Sequence, residues 1–399
     1  MLETPGPGTA RPGASLDPPV VLTLDVGSSS LRAALRDPDL RMQLHISGLD
    51  GDEARLTIEG TGSFVEHALL HTGWSEALTE VAGAIARRGL RPAVVAHRVV
   101  HGSALVRAPC WADDALLIRL RAEEHLDPLH LPRQLAVVEE ARTWWPDAEV
   151  VLVPDTGFHA ALPDEAVTLP LPLDLRAAGL RRWGSHGLAV QSVVDLLPGL
   201  GSAVVVHLGS GCSVTAVQAG RPRSTTAALS PAGGIPSPTR SGDLDPEVVL
   251  RLVELHDGSV AEVRELLDRR SGLAGMSGGR SDVRTLLAAD DPAAGLALRV
   301  FVRDVAMAVA AAVTALDAWD GLVFTGGIGV HSGEIRERVC ERLLALRPGT
   351  ARFSGAPSER LSASGVRVLA VPVDEAAVMD RLTRAFLRAR APRPVDAGA

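Results

Sequence analysis

The stretch "VVVHLGSGCSVTAV", residues 204–217, decides the fold. An apolar strand enters a corner made of Gly and Ser, and a second apolar strand leaves it. Clustered Gly and Ser residues offer backbone N–H groups and hydroxyls without Cβ bulk, which suits close contact with a phosphate. Any tight hairpin also favours Gly and Ser, so this corner alone has an ordinary structural explanation as well.

A second hairpin of the same kind lies near the N-terminus, as "VLTLDVGSSSLRAAL" at residues 21–35. Ungapped alignment sets Gly27 against Gly209 and Ser28 against Ser210, with apolar residues matching between them. We interpret the pair as an internal duplication, and chance similarity of two Gly-rich turns is the alternative. A duplicated two-domain α/β chain usually places its site in the cleft between its halves.

Periodicity extends the duplicated pattern along the chain. Short strand-like runs separated by Gly, Pro and Asp predict an antiparallel meander, and apolar residues at helical spacing predict the helices that follow it. The same order then repeats. The expected strands lie at 20–26, 31–37, 41–47, 54–60, 92–102, 148–159, 202–208 and 321–329, and the expected helices at 74–88, 132–145 and within 246–318.

Composition limits the classes of function. A chain of 399 residues suggests two domains, and a hydrophobic share of 46% is ample for two cores. The net charge of −8, without a long basic stretch, argues against a nucleic-acid partner. Three widely spaced cysteines with no metal-ligand spacing fit a reducing cytosol, so we expect a cytoplasmic protein.

The two ends and the most apolar window are the remaining features of composition. Residues 1–19 lack the basic and apolar regions of a signal peptide and predict a disordered extension, as do residues 391–399 at the other end. The apolar window at 305–316 is well short of the ~20 residues that a membrane helix needs. We therefore expect a buried core helix there and no membrane partner.

The chain contains no Lys, no Asn and no Tyr. A Walker A loop needs its lysine on the phosphates, so a standard P-loop is excluded. Base composition of the gene would also explain the missing residue types. Any bound phosphate must be neutralised by Arg, His, backbone N–H groups or a metal ion.

Polar residues cluster where the expected strands end, which is where ligands bind in open α/β sheets. Arg98 could clamp a carboxylate or phosphate, or could simply extend from a strand end into solvent. Arg240 lies in "TRSGDLDP", which could be a clamp or only a helix N-cap. Glu375 could bind a metal or complement a helix dipole. The full set is Asp25, Arg98, His101, His130, Asp155, His159, His186, His207, Arg240, Asp243 and Glu375.

Taken together, these features describe phosphoryl transfer, which depends mostly on positioning and charge neutralisation. Two phosphate-type hairpins, two arginines in polar loops and carboxylates at strand ends form a consistent set. The segment "FTGGIG" at 324–329 would suit the approach of a nucleotide ring or phosphate, although Gly-rich turns after strands are common.

In this order the motifs resemble the acetate kinase family of short-chain carboxylate kinases, within the sugar kinase, Hsp70 and actin superfamily. The resemblance runs from about residue 20 to residue 384. It implies an α/β, duplicated two-domain actin-like ATPase (ribonuclease H-like) fold with a nucleotide cleft between the domains. The motifs are "GSSSLR", "HRVVHG", "DPLHLP", "DTGFHAALP", "HLGSGCS", "TRSGDLDP", "SGLAGMSGGRSDVR", "FTGGIG" and "VPVDEAAVM".

The resemblance also implies an activity and its cofactors. ATP would phosphorylate acetate or a close homologue by direct in-line transfer with Mg²⁺ or Mn²⁺, reversibly with acetyl phosphate and ADP. It further implies a homodimer, an N-terminal domain on the substrate side at 20–157 plus 376–390, and a nucleotide-binding domain at 158–375. A propionate- or butyrate-preferring kinase and a nucleotide-binding regulator with weak catalysis are the alternatives.

Individual roles follow from the same resemblance. Arg98 and Arg240 would clamp the carboxylate and the transferring phosphoryl group, and His186 would stabilise the equatorial oxygens. The implied catalytic residues are Asp155, His186, Arg240, Arg98 and His130, with substrate bound by Arg98, Val100, Leu129, Ser185 and Pro231. The implied nucleotide residues are Ser28, Ser30, Arg32, His207, Leu208, Gly209, Ser210, Gly211, Asp282, Val283, Arg284, Gly327, Ile328 and Gly329, and the metal ligands Asp25 and Glu375.

Several positions depart from the family pattern. Asp25 and Ser210 each stand where the family has Asn, and Arg32 replaces its usual Lys. Ser185 replaces a Phe in the implied acyl pocket, and "GIGVHS" replaces "GIGENS". Loss of the phenyl ring enlarges the pocket, so we expect better tolerance of propionate or butyrate, with roughly 0.8 kcal/mol per additional buried methylene.

Overall fold

The computed structural model describes residues 19–27, 29–49, 51, 53–60, 63–70, 73–344, 360–361 and 365–390. Residues 1–18 and 391–399, for which disorder is predicted, lie outside the described residues, as does Ser28. No helix in these ranges combines the length and the apolar character that a membrane crossing requires. The chain divides into two compact units, one formed by Met1–Ala96 with Val137–Val150 and the other by His97–Ala136 with Val151–Ala399. The predicted domain bounds, and their substrate and nucleotide sides, stay a prediction.

The first sheet begins with the predicted meander. Its first five strands pair in antiparallel succession, which confirms the prediction for four of them and adds a fifth. The order across the sheet is β5-β4-β3-β2-β1-β6-β8-β7. The strands are β1 (Val21–Val26), β2 (Ser30–Asp37), β3 (Asp39–Ser47), β4 (Glu53–Gly60), β5 (Ser63–Leu70), β6 (Val94–Val99), β7 (Cys110–Trp111) and β8 (Glu149–Pro154).

The second sheet contains the stretch quoted above. Its strands are β9 (Ser202–Leu208), β10 (Cys212–Gln218), β11 (Arg221–Thr225), β12 (Gly321–Thr325), β13 (Arg360–Leu361) and β14 (Arg367–Ala370). β9 and β10 form an antiparallel hairpin in which Leu208 pairs with Cys212, and β12 runs parallel to both β9 and β14. The order is β11-β10-β9-β12-β14-β13. The run β11-β10-β9-β12-β14 repeats the run β3-β2-β1-β6-β8 of the first sheet, as the duplication predicts.

Helices cover much of the remaining chain. The α-helices are α1 (Trp74–Ala86), α2 (Asp114–Ala122), α3 (Leu131–Trp144), α4 (Asp164–Val167), α5 (Leu173–Ala177), α6 (Gly187–Leu196), α7 (Pro246–Leu255), α8 (Val260–Arg269), α9 (Gly272–Met276), α10 (Val283–Ala288), α11 (Pro292–Val313), α12 (Gly326–His331), α13 (Gly333–Arg342) and α14 (Glu375–Arg390). Two 3-10 helices lie at Glu124–Leu126 and Asp155–Ala161. The predictions at 74–88 and 132–145 correspond to α1 and α3.

The core helix of the second sheet is α11, and sequence chemistry explains where it begins. Asp291 accepts a hydrogen bond from the N–H of Ala293, and Pro292 occupies the first turn, where its missing N–H leaves no bond unmade. Its apolar face, which includes Phe301 and Val305, packs with the buried residues of β9 and β12. The apolar window at 305–316 is therefore a core helix as predicted, although the helix ends at Val313.

Three predicted strands are shorter than expected. The strand predicted at 321–329 ends at Thr325, because Gly326 has a φ of +79° and a Cβ there would lie 2.5 Å from the carbonyl oxygen of Leu208. The helix α12 begins at this glycine. Likewise β8 ends at Pro154, where the 3-10 helix Asp155–Ala161 follows, and the strand predicted at 92–102 covers only Val94–Val99.

Candidate active site

Asp155 is the anchor of a polar cluster in the second unit. It follows β8, and only 1% of its surface is exposed. Its Oδ2 accepts the backbone N–H of His186 and its Oδ1 that of Leu188, each at 3.0 Å. Arg98 Nη1 lies 3.5 Å from Oδ2. The carboxylate therefore satisfies N–H groups at the start of α6, where a negative charge is favoured, and holds a guanidinium beside it.

His186 has an unusual backbone conformation, with φ 57° and ψ 32°. A residue other than Gly in the left-handed region is uncommon and persists only when its surroundings fix it. Here Asp155 holds the N–H, and a Cβ added at Gly187 would lie 2.1 Å from the Asp155 carbonyl oxygen. This conformation directs the imidazole so that Nδ1 lies 3.0 Å from Ser213 Oγ, and the ring stacks on His207 with centroids 4.4 Å apart.

Both stacked imidazoles are neutral at physiological pH. Burial, and then repulsion from the protonated form of His207 and from Arg240 and Arg98, hold the pKa of His186 well below its ordinary value. Burial, followed by the charge of Arg98, lowers the pKa of His207 to about 4. A neutral imidazole carries one N–H donor and one acceptor nitrogen. With Ser213 on Nδ1, His186 can present an uncharged hydrogen-bonding edge at Nε2.

The bare corner of the β9–β10 hairpin is explained by what lies against it. A Cβ at Gly211 would lie 2.7 Å from His186 Nε2 and 2.8 Å from Arg240 Nη1. Real Cβ atoms do not approach so closely, so any larger residue here would displace the end of one of these side chains. Arg240 Nη1 also lies 3.5 Å from the carbonyl oxygen of Pro231. The ends of one imidazole and one guanidinium therefore meet at Gly211, where the hairpin corner has no side chain.

His130 forms a buried pair with Asp127. Its Nδ1 lies 2.9 and 3.1 Å from the two carboxylate oxygens, and both residues are less than a tenth exposed. Burial alone would raise the pKa of Asp127, but the hydrogen bond with His130 and the charges of His130 and Arg240 outweigh it and lower the pKa. Sequence reasoning included His130 and missed Asp127, which follows the 3-10 helix Glu124–Leu126, three residues before His130.

The residues expected in the acyl pocket all belong to this same unit. Ser185 and Val100 are buried, at 4% and 6% exposure, while Leu129 and Pro231 are half-buried. The N–H of Val100 donates to Gln134 Oε1 at 2.9 Å, which fixes the backbone after β6. Their role in binding substrate stays a prediction.

His101, one of the candidates from the sequence, lies beside a residue that sequence reasoning missed. Its Nε2 lies 3.0 Å from the carbonyl oxygen of Leu229, and its ring meets Trp183 edge to face. Ser213 is the last residue of the motif "HLGSGCS", but the sequence assigned no role to it or to Trp183. Ser213 is an ordinary strand residue in the sequence, and only the fold shows that it contacts His186.

The expected nucleotide residues of the second unit lie in three segments. Gly209, Ser210 and Gly211 form the hairpin corner, with Ser210 exposed, while Gly327, Ile328 and Gly329 lie in α12. Asp282 caps α10 by accepting the N–H of Arg284, and its carboxylate also receives the Arg284 side chain. That side-chain hydrogen bond is the largest cause of the lowered pKa of Asp282. Nucleotide binding by these segments stays a prediction.

In the first unit, Asp25 pairs across the β1–β2 hairpin with Arg32, and their side chains approach to 4.0 Å. Ser30 begins β2 of the same hairpin. In the second unit, Glu375 is the first residue of α14. The described residues contain no group of three or more His, Cys, Asp or Glu side chains that could hold a metal ion. Mg²⁺ usually takes only one or two carboxylates with waters and phosphates, so single carboxylates fit its chemistry. Asp25 and Glu375 stay predicted ligands.

Comparison with known proteins gives the fold class first. A propionate kinase from Francisella tularensis subsp. tularensis SCHU S4 superposes with a TM-score of 0.84 at 25% identity, over 91% of this chain and 98% of that one. The two sheets with their repeated strand order are those of an actin-like ATPase fold.

The sequence then gives the family. Residues 20–379 match the model of the acetokinase family, and the chain belongs to that family. An acetate kinase from Rhodopseudomonas palustris (strain TIE-1) is 40% identical over 71% of this chain and 75% of its own. A propionate kinase from Edwardsiella piscicida is 33% identical over 90% of this chain and 94% of its own. Members are phosphotransferases with a carboxyl group as acceptor, as the motifs predicted.

Proposed function

We propose that the protein transfers the terminal phosphoryl group of ATP to acetate or another short-chain carboxylate, giving an acyl phosphate and ADP. The observation that carries this proposal is the convergence of His186 and Arg240 on the bare corner at Gly211. Phosphoryl transfer needs positioned charge and hydrogen-bond donors more than covalent chemistry from the protein. A guanidinium and a neutral imidazole that face one point meet that need.

Each residue of the cluster then has a role in the in-line reaction. An oxygen of the substrate carboxylate attacks the γ-phosphorus, and the bond from phosphorus to the bridging oxygen of ADP breaks. The acceptor is already ionised, so no base has to remove a proton. Arg98 and Arg240 clamp the carboxylate and the phosphoryl group, while His186 donates to the equatorial oxygens. Asp155 acts through the backbone of His186 and through Arg98.

A divalent metal ion, which we propose is Mg²⁺, would neutralise phosphate charge when bound. Asp25 is the carboxylate we assign to it in the first unit and Glu375 the one in the second. We also propose that the protein works in the cytosol as a homodimer, as its resemblance to the family implies. The three cysteines are free, and Cys212 and Cys340 are buried, which suits a reducing compartment.

Ser185 favours a second version of the same activity. It is buried and small, and it lies next to His186 in the chain, so a longer acyl chain gains room at this position. Two of the relatives described above are propionate kinases by name. We therefore propose that propionate or butyrate is used more efficiently than acetate.

The decisive experiment traps acyl phosphate with hydroxylamine. Purified protein is supplied with Mg·ATP and acetate, propionate or butyrate, and hydroxamate is measured. Arg240→Ala is expected to remove the product, whereas Arg221→Ala, an exposed arginine of β11, should leave it unchanged. No product with any acid, despite measurable nucleotide binding, would overturn the kinase and favour a regulatory protein that binds nucleotide without turnover.

A further inference from the structure

A small cavity of the second unit has a lining unlike the site described above. Three segments form it: the loop after β6, the 3-10 helix Asp155–Ala161 and the loop before α6. Among the described residues that line it there are three arginines and no carboxylate. The lining residues are Ser103, Arg107, Thr156, His159, Ala160, Arg181, Arg182 and Trp183.

Two of the three guanidinium groups at this cavity, those of Arg107 and Arg181, repel one another, and the charge of Asp164 only partly offsets this. Burial, and then the positive charge of Arg107, lower the pKa of Arg181. Arg181 Nε is buried and has no hydrogen-bond partner within the described part of the chain, and its Cζ lies 5.0 Å from the centre of the Trp183 ring. Arg107 donates to the Ala160 carbonyl at 2.9 Å, and Arg182 donates to the Thr226 carbonyl at 2.6 Å. Each guanidinium has five N–H donors, so these bonds leave donors to spare.

His159 supplies an independent observation. It is 1% exposed, and its Nε2 lies 3.2 Å from Thr215 Oγ1. Its Nδ1 has no partner among the described residues. A buried polar nitrogen without a partner is unfavourable, and native structures usually satisfy it with protein, water or a ligand. Burial lowers the pKa of His159 to about 3, so the ring is neutral and Nδ1 can serve as an uncharged donor.

We propose that this arginine cavity binds a small inorganic anion, namely phosphate or chloride. The anion would neutralise the repulsion between Arg107 and Arg181, and it would give the buried edge of His159 a partner. The anion would also link two segments that hold residues of the polar cluster around Asp155. The 3-10 helix begins at Asp155, and the loop with Arg181 leads to His186. Bound anion should therefore stabilise the second unit independently of turnover.

The test measures thermal unfolding of the full chain. Sodium phosphate and sodium chloride are titrated separately at constant ionic strength, which is held with sodium gluconate because its anion is too large for the cavity. We expect the unfolding midpoint of the wild type to rise with at least one of the two anions. Arg181→Gln and Arg107→Gln should weaken the apparent affinity at least 10-fold, while Arg221→Gln, an exposed arginine distant in sequence, should match the wild type.

A second set of variants distinguishes anion binding in this cavity from anion binding at Arg240 in the proposed active site. If Arg240→Ala abolishes the stabilisation and Arg181→Gln does not, the anion binds at the catalytic cluster and the proposal is wrong. Equal stabilisation in all variants, or none in the wild type, would overturn it as well. Phosphate alone would define an oxyanion site and chloride alone a halide site. Hydroxamate formation is read separately, so failure here leaves the proposed kinase activity untouched.

Discussion

Ser213 is the residue that we expect to set the tautomer of His186. Its hydroxyl lies 3.0 Å from Nδ1, and both residues are in the second unit. Ser213→Ala removes that partner, so the ring can rotate or change tautomer. A hydrogen bond of this kind contributes about 1 kcal/mol, so we expect kcat to fall roughly fivefold with the KM for ATP nearly unchanged. Steady-state kinetics measure the change.

The matched control is Ser224→Ala on the neighbouring strand β11, which should keep wild-type kinetics. If Ser213→Ala keeps kcat, or raises only the KM, Ser213 does not position the imidazole.

At the scale of one side chain, we propose that Ser185 sets how long an acyl chain the pocket admits. Ser185→Phe refills the space that we assign to the extra methylenes, each worth roughly 0.8 kcal/mol of burial. We expect kcat/KM for butyrate to fall at least tenfold more than kcat/KM for acetate. Hydroxamate assays with the two acids give the ratio. An equal loss with both acids would mean that Ser185 does not line the acyl pocket.

At the scale of elements, the β9–β10 hairpin makes room for two side chains. Gly211→Ala would place a methyl group against His186 Nε2 and Arg240 Nη1, which are the ends of side chains and can move. Overpacking of this kind costs about 1–3 kcal/mol, so the fold should survive. The displaced groups are those proposed to bind the phosphoryl group, so we expect kcat/KM to fall about 100-fold, measured beside the unfolding midpoint.

Gly199→Ala is the matched control for the hairpin, because a Cβ at Gly199 meets no atom within 4 Å. It should change neither activity nor stability. Wild-type activity in Gly211→Ala would contradict the role given to the corner.

Local patterns explain which elements could be predicted from sequence. The hairpins, α1, α3 and β12 carry apolar periodicity and Gly-rich ends, and these signals act within a few residues. The contact between Asp155 and His186 spans 31 residues and has no such signal. The left-handed backbone of His186 has no sequence signal either, because a positive φ is normally predicted only where the sequence has Gly. Both residues were among the polar candidates from the sequence, the family resemblance implied their roles, and the structure shows how Asp155 holds the backbone N–H of His186.

For the whole molecule, buried neutral histidines make stability depend on pH. Burial lowers the pKa of His159 to about 3 and that of His207 to about 4, and the pKa of His186 lies well below its ordinary value. The unfolded chain takes up these protons near pH 6.5 and the folded chain does not. Stability is therefore fully present above about pH 6.5 and is lost as the pH falls towards 4, by about 1.4 kcal/mol per pH unit for each histidine.

Unfolding free energies at pH 7.5, 6.0 and 5.0 check this expectation. His159→Gln should make the dependence on pH shallower, whatever it does to stability at pH 7.5. A free energy of unfolding that stays constant between pH 7.5 and 5.0 would show that the three rings are not held neutral.

Every fixed cation of this protein, apart from its N-terminus, is a guanidinium, in the polar cluster around Asp155 and in the arginine cavity alike. Lysine amines are the side chains that acetylation neutralises, whereas guanidinium stays charged and is not its target. An acyl phosphate is an acylating agent, so an enzyme that makes one exposes its own surface to covalent damage. Because this chain has no lysine, acylation by its own product would leave its side-chain positive charges unchanged.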